Sequence, residues 1–233
     1  MIVDKNNIEK HKELEKKLLN KKYDYIIIGS GPAGVTLYKS LLKKKNIKIL
    51  IIEKGNLNKI FFETVNYKNL PINKKSRAFS VGGSSNLWSN VSSYFEKFEM
   101  TSRQSKKSEN LWPLSHIELT KFYKRIENIY GFNYTKLKFK KINLPFNLRK
   151  FIGKKIPINY RSLINKNEID IIYNCEVLML DEIENYSIVN FNFKNKIKKI
   201  YAKKTIICCG GIESTALILK SLKNNKIKKF KNK

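Results

Sequence analysis

The sequence predicts an α/β protein organised around a parallel sheet, on three observations. An aromatic and β-branched run, Tyr25-Ile26-Ile27-Ile28, leads straight into the glycine-rich turn Gly29-Ser30-Gly31-Pro32-Ala33-Gly34. A helix-compatible stretch, Val35 to Lys45, separates that turn from a second isoleucine-rich strand, Ile47 to Glu53, so the order is strand, helix, strand. Towards the other end, Thr205 to Cys209 forms an apolar strand that stops at Gly210-Gly211 and is followed by a helix, Ile212 to Leu222.

Length and composition agree with this class. The 233 residues are enough for one large domain or two small ones. A hydrophobic fraction of 42% is too high for a disordered chain. No apolar run reaches the roughly 18 to 20 residues of a membrane-spanning helix. The first 22 residues lack the apolar stretch of a secretory signal, so the expected location is the cytoplasm. Three cysteines, Cys175, Cys208 and Cys209, show no CxxC or CxxH spacing, and are read as buried thiols with no disulfide framework and no zinc site. The formal net charge of +29 would suit nucleic acid. Yet 43 Lys stand against 5 Arg, with 31 Ile and 27 Asn, which is the bias of an AT-rich coding sequence. Recognition of phosphate by bidentate forks would favour Arg. The lysines are read as solvated faces and nucleic acid as no partner.

The elements follow in order. Residues 1–22 form a charged extension with Ile8, Leu14, Leu18 and Leu19 at helical spacing. Periodicity is lost from Gly55 to Pro71, and Ser80 to Asn90 is a loop of small residues around Trp88, of the kind that brings backbone close to a ligand. Ser115 and Glu118 form a capping box for a helix with apolar positions Leu119, Phe122, Tyr123, Ile126, Ile129 and Tyr130, ending before Gly131. His116 lies in its first turn and is given no chemistry. Ile169 to Tyr173, Glu176 to Leu180, Ser187 to Phe193 and Lys198 to Ala202 alternate as strands and suggest a small antiparallel layer. Residues 223–233 are a Lys-rich tail.

The turn carries the chemistry. Gly29-x-Gly31-x-x-Gly34 lies between a strand and a helix, and Glu53 ends the next strand 24 residues after Gly29. This is the context in which the pattern signifies a Rossmann-like dinucleotide site rather than an ordinary glycine turn. Gly29 permits the tight turn, Gly31 lets backbone approach a pyrophosphate, Gly34 brings the helix close to the sheet, and the helix N-terminus attracts the phosphates. Glu53 would accept a hydrogen bond from an adenosine ribose hydroxyl and repel a 2′-phosphate, which leaves FAD or NAD and excludes NADP.

Four segments in order, the run from Tyr23 to Gly55, the loop VGGSSNLWSN, the segment WPLSHIELTKFYKRIENIYG and the terminal AKKTIICCGGIESTALILKS, resemble the glucose-methanol-choline (GMC) flavoprotein oxidoreductases over about residues 23–222. Trp88 and the Trp-Pro helix start look closest to the branch that includes pyranose oxidase. The resemblance implies FAD. Gly29, Ser30, Gly31 and Gly34 then match the family's pyrophosphate turn and Glu53 its ribose carboxylate. Gly82, Gly83, Ser84, Ser85 and Asn86 match the loop along the pyrophosphate and flavin, Val177 a position whose backbone meets the adenine, and Gly210 the strand end beneath the cofactor. It also implies an FAD-binding domain over residues 23–222 with residues of about 56–203 inserted between its two Rossmann parts.

Two departures accompany the resemblance. Several family members carry in the flavin loop a histidine bonded covalently to the flavin, and this chain has Leu87, so the expected FAD is noncovalent. Family members run to roughly twice this length, and their catalytic histidine comes from a C-terminal portion that has no counterpart here. The only histidines are His11 and His116, neither suited to stand beside a flavin as the base that oxidation of an alcohol requires. The expectation is therefore the N-terminal, FAD-binding part of an enzyme oxidising a sugar or alcohol CH–OH group, without a catalytic pair and inactive alone, the product of a frameshifted gene, an incomplete gene model or a split enzyme whose second chain supplies the rest. The alternatives are another FAD- or NAD-dependent flavoprotein reductase, which a second GxGxxG would favour and the chain lacks, and a Lys-rich protein binding nucleic acid or an anionic surface.

Overall fold

The structure is a computed structural model and describes residues 2–3, 18–62, 77–88, 91–101, 114–131, 151–153 and 170–223. His11, most of the N-terminal extension, and the tail from residue 224 lie outside them. Contacts divide the chain into two compact units, residues 1–87 with 159–233, and residues 88–158.

The first unit is built on a seven-stranded sheet in the order β1-β6-β3-β2-β9-β8-β7. Its strands are β1 (Ile2–Val3), β2 (Tyr23–Ile28), β3 (Ile49–Ile52), β6 (Asp170–Ile172), β7 (Glu176–Ile183), β8 (Tyr186–Phe193) and β9 (Lys196–Ile207). Ile26, Ile27 and Ile28 of β2 stand level with Leu50, Ile51 and Ile52 of β3 and with Thr205, Ile206 and Ile207 of β9, all parallel. Leu50 and Ile51 are fully buried, as are Ile26 and Ile27. An uninterrupted isoleucine run is what a parallel strand with both faces covered requires. Helix α1 (Pro32–Leu41) joins β2 to β3 and buries Gly34, Val35, Tyr38 and Leu41, one stripe at helical spacing. It stops short of Lys43-Lys44-Lys45, which the sequence reading had included.

Two expectations change. Lys198–Ala202 and Thr205–Cys209, expected as separate strands, are one twelve-residue strand, β9. Its first half pairs antiparallel with β8 from Lys196 to Ala202, and its second half pairs parallel with β2 from Ala202 to Ile207. The antiparallel strands are therefore an extension of the Rossmann sheet, and their inward residues Leu180, Val189, Phe191, Phe193 and Ile200 share one core with Ile26, Leu50 and Ile172. Ile2–Val3, expected as helical, instead form β1 on β6.

In the second unit β4 (Val91–Ser92) pairs antiparallel with β5 (Ile152–Gly153). Its helices are α2 (Lys97–Thr101) and α3 (His116–Tyr130). Helix α3 begins with the expected capping box, Ser115 accepting from the Glu118 amide and Glu118 accepting from Ser115 N–H, and ends at Gly131. Tyr94 and Tyr123 stack with ring centroids 4.0 Å apart. His116 Nε2 lies 3.1 Å from the Phe95 carbonyl oxygen, a structural contact.

Candidate functional site

The site lies where β2, β3 and β9 end side by side. Gly29 follows β2, donating its N–H to Ile52 O on β3 (2.8 Å), while Cys208 N–H donates to Ile28 O (2.7 Å). The turn is thus clamped between its two parallel neighbours. A Cβ on Gly29 would stand 2.6 Å from Cys208 O, in a backbone with φ +96°. A Cβ on Gly34 would run into Gly29 O, so this glycine lets α1 lie against the turn. Gly31 differs from both: nothing lies within 4 Å of where its Cβ would be. It is the N-cap of α1, no side chain caps it, and Pro32 occupies the first turn. The positive end of the helix dipole is therefore open beside a bare backbone.

That opening faces a crevice of about 540 Å³ lined by residues of the first unit, including Gly29, Gly31, Glu53, Gly83, Val177 and Gly210. Its size falls within the roughly 300 to 1,000 Å³ typical of small-molecule and cofactor sites. Helix α4 (Gly210–Lys223) starts at its edge and follows directly from β9.

Glu53 is 6% exposed, and its carboxylate is held on three sides. Oε2 accepts from Ser30 N–H (2.8 Å) and Ser30 Oγ–H (2.7 Å), and Oε1 accepts from Gly55 N–H (2.7 Å). Glu53 also borders the crevice. Burial pushes its pKa above the ordinary carboxylate value, opposed by the hydrogen bonds from Ser30, Gly55 and Lys54.

The structure sorts the remaining expected residues into those that line the crevice and those that build it. Ser30 is wholly buried, with its N–H and hydroxyl both spent on Glu53 while its Oγ accepts from Gly82 N–H (3.1 Å). Ser30 thereby ties the turn to Glu53 at the end of β3 and to the loop at Gly82. In that loop, the 3₁₀ turn Gly83–Asn86 packs on the dinucleotide turn, and a Cβ on Gly83 would meet Gly31 Cα at 3.1 Å. Gly83 and Ser84 reach the crevice. Ser85 instead donates to Gly82 O (2.6 Å), and Asn86 Nδ2 donates to Ser80 Oγ (2.7 Å) and Val81 O (3.0 Å), so Gly82, Ser85 and Asn86 shape the turn from behind.

Several lining residues escaped sequence reasoning. Lys54, Arg77, Phe79 and Glu213 meet at the crevice, with Lys54 Nζ 3.1 Å from Glu176 Oε1 and 4.8 Å from the Phe79 ring centroid. Arg77 carried the one signal, as one of five arginines in a chain with 43 lysines. All three cysteines also border the crevice as free thiols, and only Cys175 is buried. Burial, with the neighbouring Glu53 and Cys208, pushes the Cys209 thiol up to about 12. Among the described residues no group of His, Cys, Asp or Glu side chains is placed to hold a metal, and no helix is long and apolar enough to cross a membrane.

No protein-family description and no curated protein matches the chain by sequence. Solved structures do match. Pyridoxine 4-oxidase from Mesorbium loti superposes with a TM-score of 0.56 at 12% identity, over 85% of this chain and 52% of that one. Formate oxidase gives a TM-score of 0.50 at 15% identity, over 86% of this chain and 48% of that one. A variant of the formate oxidase of Aspergillus oryzae, studied for its effect on FAD modification, gives 0.52 at 14% identity, over 87% and 48%. The chain spans about half the length of the structures it matches. The likeness shows the fold, and it is the fold that the GMC resemblance implied.

Proposed function

We propose that this chain is an FAD-binding part of a GMC-type oxidoreductase. The observation that carries the reading is the open, uncapped N-terminus of α1 at Gly31, facing a crevice that Glu53 also borders. The residues fit the group. Gly31 and the first turn of α1 would receive the pyrophosphate against backbone amides. Glu53 would take the ribose hydroxyl, Val177 would lie along the adenine, and Gly83 and Ser84 would face the flavin end. When bound, FAD supplies the two-electron oxidation of a substrate CH–OH carbon, a sugar or alcohol in the complete enzyme.

This chain's own contribution is to bind and orient. Among the described lining residues Glu53 is held by hydrogen bonds from Ser30, Gly55 and Lys54, and Glu176 and Glu213 are each paired with a cation, so none of these carboxylates is poised to accept a hydroxyl proton. A second polypeptide segment supplying that base fits this arrangement. Leu87 offers no ring nitrogen for a covalent link, which supports noncovalent FAD. Free thiols fit the reducing cytoplasm.

Isothermal titration of the purified chain with FAD tests the reading. Wild type should bind FAD and Gly31→Val should not, and acid precipitation should release the yellow colour into the supernatant. Equal affinity in the two proteins removes the site.

A further inference from the structure

Two ion pairs and one aromatic ring form a continuous belt at the crevice, running Glu176, Lys54, Phe79, Arg77, Glu213. Lys54 Nζ pairs with Glu176 Oε1 at 3.1 Å and stands 4.8 Å from the Phe79 centroid. The Arg77 guanidinium stands 5.6 Å from the same centroid and pairs with Glu213 in the first turn of α4. All five residues line the crevice. The Arg77–Glu213 pair is the more sheltered of the two, with side chains 20% and 29% exposed against 29% and 48% for Lys54–Glu176. It is also the pair that joins otherwise separate parts, since Arg77 opens the stretch 77–87 that packs Gly83 onto Gly31, whereas Glu213 belongs to α4. The two cations use the one ring alike, each pairing with a glutamate while it stands over Phe79.

We propose that Arg77 is a positioning residue: its ion pair with Glu213, braced on Phe79, clasps residues 77–87 to the first turn of α4 and sets how readily the crevice opens to a dinucleotide. The dinucleotide part of this inference rests on the FAD reading above. The clasp itself does not, because the crevice carries its own reporters. Cys208 and Cys209 border it as partly exposed free thiols, and Cys175 borders it almost wholly buried, so the three report local opening and global loosening separately.

The experiment is pulse alkylation of the full chain with N-ethylmaleimide at fixed pH, resolved by site with mass spectrometry, alongside the FAD dissociation rate. Arg77→Gln and Glu213→Gln should each speed alkylation of Cys208 by about twofold to fivefold, the range a partly exposed ion pair supports. The double variant should be no faster than either single one. Cys175 should be unchanged, and the reversed pair Arg77→Glu with Glu213→Arg should return the rate towards wild type. FAD should leave both single variants faster by the same factor. Unchanged Cys208 alkylation overturns the clasp, as does a rise at Cys175 in step with Cys208, or additive effects in the double variant. Wild type that fails to bind FAD while the alkylation pattern holds overturns the FAD reading and leaves the clasp standing.

Discussion

Glycines with the same letter in the sequence do opposite things at this site, and substitution separates them. Gly31 has open space where its Cβ would be, so Gly31→Val removes cofactor affinity with little effect on folding. Gly55 has the backbone of Phe79 and Ser80 inside contact distance of that position. Gly55→Ala should therefore cost about 1 to 3 kcal/mol of stability, read by urea unfolding, as backbone is forced apart. A loss under half a kilocalorie would show that the loop yields freely. Glu53 carries the pH dependence. Its folded pKa lies above the ordinary value because burial outweighs its hydrogen bonds. The folded state then binds more protons than the unfolded one between those two values, so this group's contribution to stability declines as pH rises through the window and is level beyond it. The stability of wild type minus that of Glu53→Gln, measured by urea unfolding at stepped pH, should fall upward from the ordinary carboxylate range and then flatten. A difference independent of pH would mean that Glu53 titrates alike in both states.

At the scale of elements, β9 does the most. By pairing antiparallel with β8 and then parallel with β2, it ties the meander to the Rossmann strands and delivers Cys208, Cys209 and Gly210 to the crevice. Alternation and apolar runs identified both of its halves. Two lysines, Lys203 and Lys204, stood where the join was not visible in the sequence. Lys203 is exposed and reaches Asp24 Oδ1 at 2.8 Å, so a charged residue there marks solvent on one face and not the end of a strand. Helix α3 is the opposite case, an element whose ends are written locally. Its capping box satisfies two amides that nothing else would, and Ser115→Ala should cost about 1 kcal/mol in thermal or urea unfolding, with no change in FAD affinity. An unchanged midpoint would show the cap to be redundant.

For the molecule as a whole, the proposed FAD crevice presents no available carboxylate or imidazole among the described residues, and this decides what the chain should do when loaded. Sugars, polyols and simple alcohols should fail to bleach the bound flavin under anaerobic conditions in a stopped-flow assay, because loss of a general base alone costs ~10²- to 10⁴-fold in rate. Bleaching within seconds by any of them would reveal a base that the described residues do not show, and His116 would be the first residue to replace. At this site the lining cations Lys54 and Arg77 are each paired with a glutamate.

What the sequence determined by itself were the features that depend on near neighbours along the chain: the strand, glycine turn and helix from Tyr25 to Leu41, the buried isoleucine strand up to Glu53, the capping box at Ser115, and the glycine spacing that marks a dinucleotide turn. Each follows from periodicity, capping or steric room within a few residues, which local order encodes. Tertiary structure decided what depends on distant partners. It bonded Ser30 to Glu53, Ser85 to Gly82 and Asn86 to Ser80, and joined two strands into β9. It also brought Arg77 to Glu213, 136 positions later in the chain, a pairing no spacing rule contains because it is made only when β9 places α4 beside the loop.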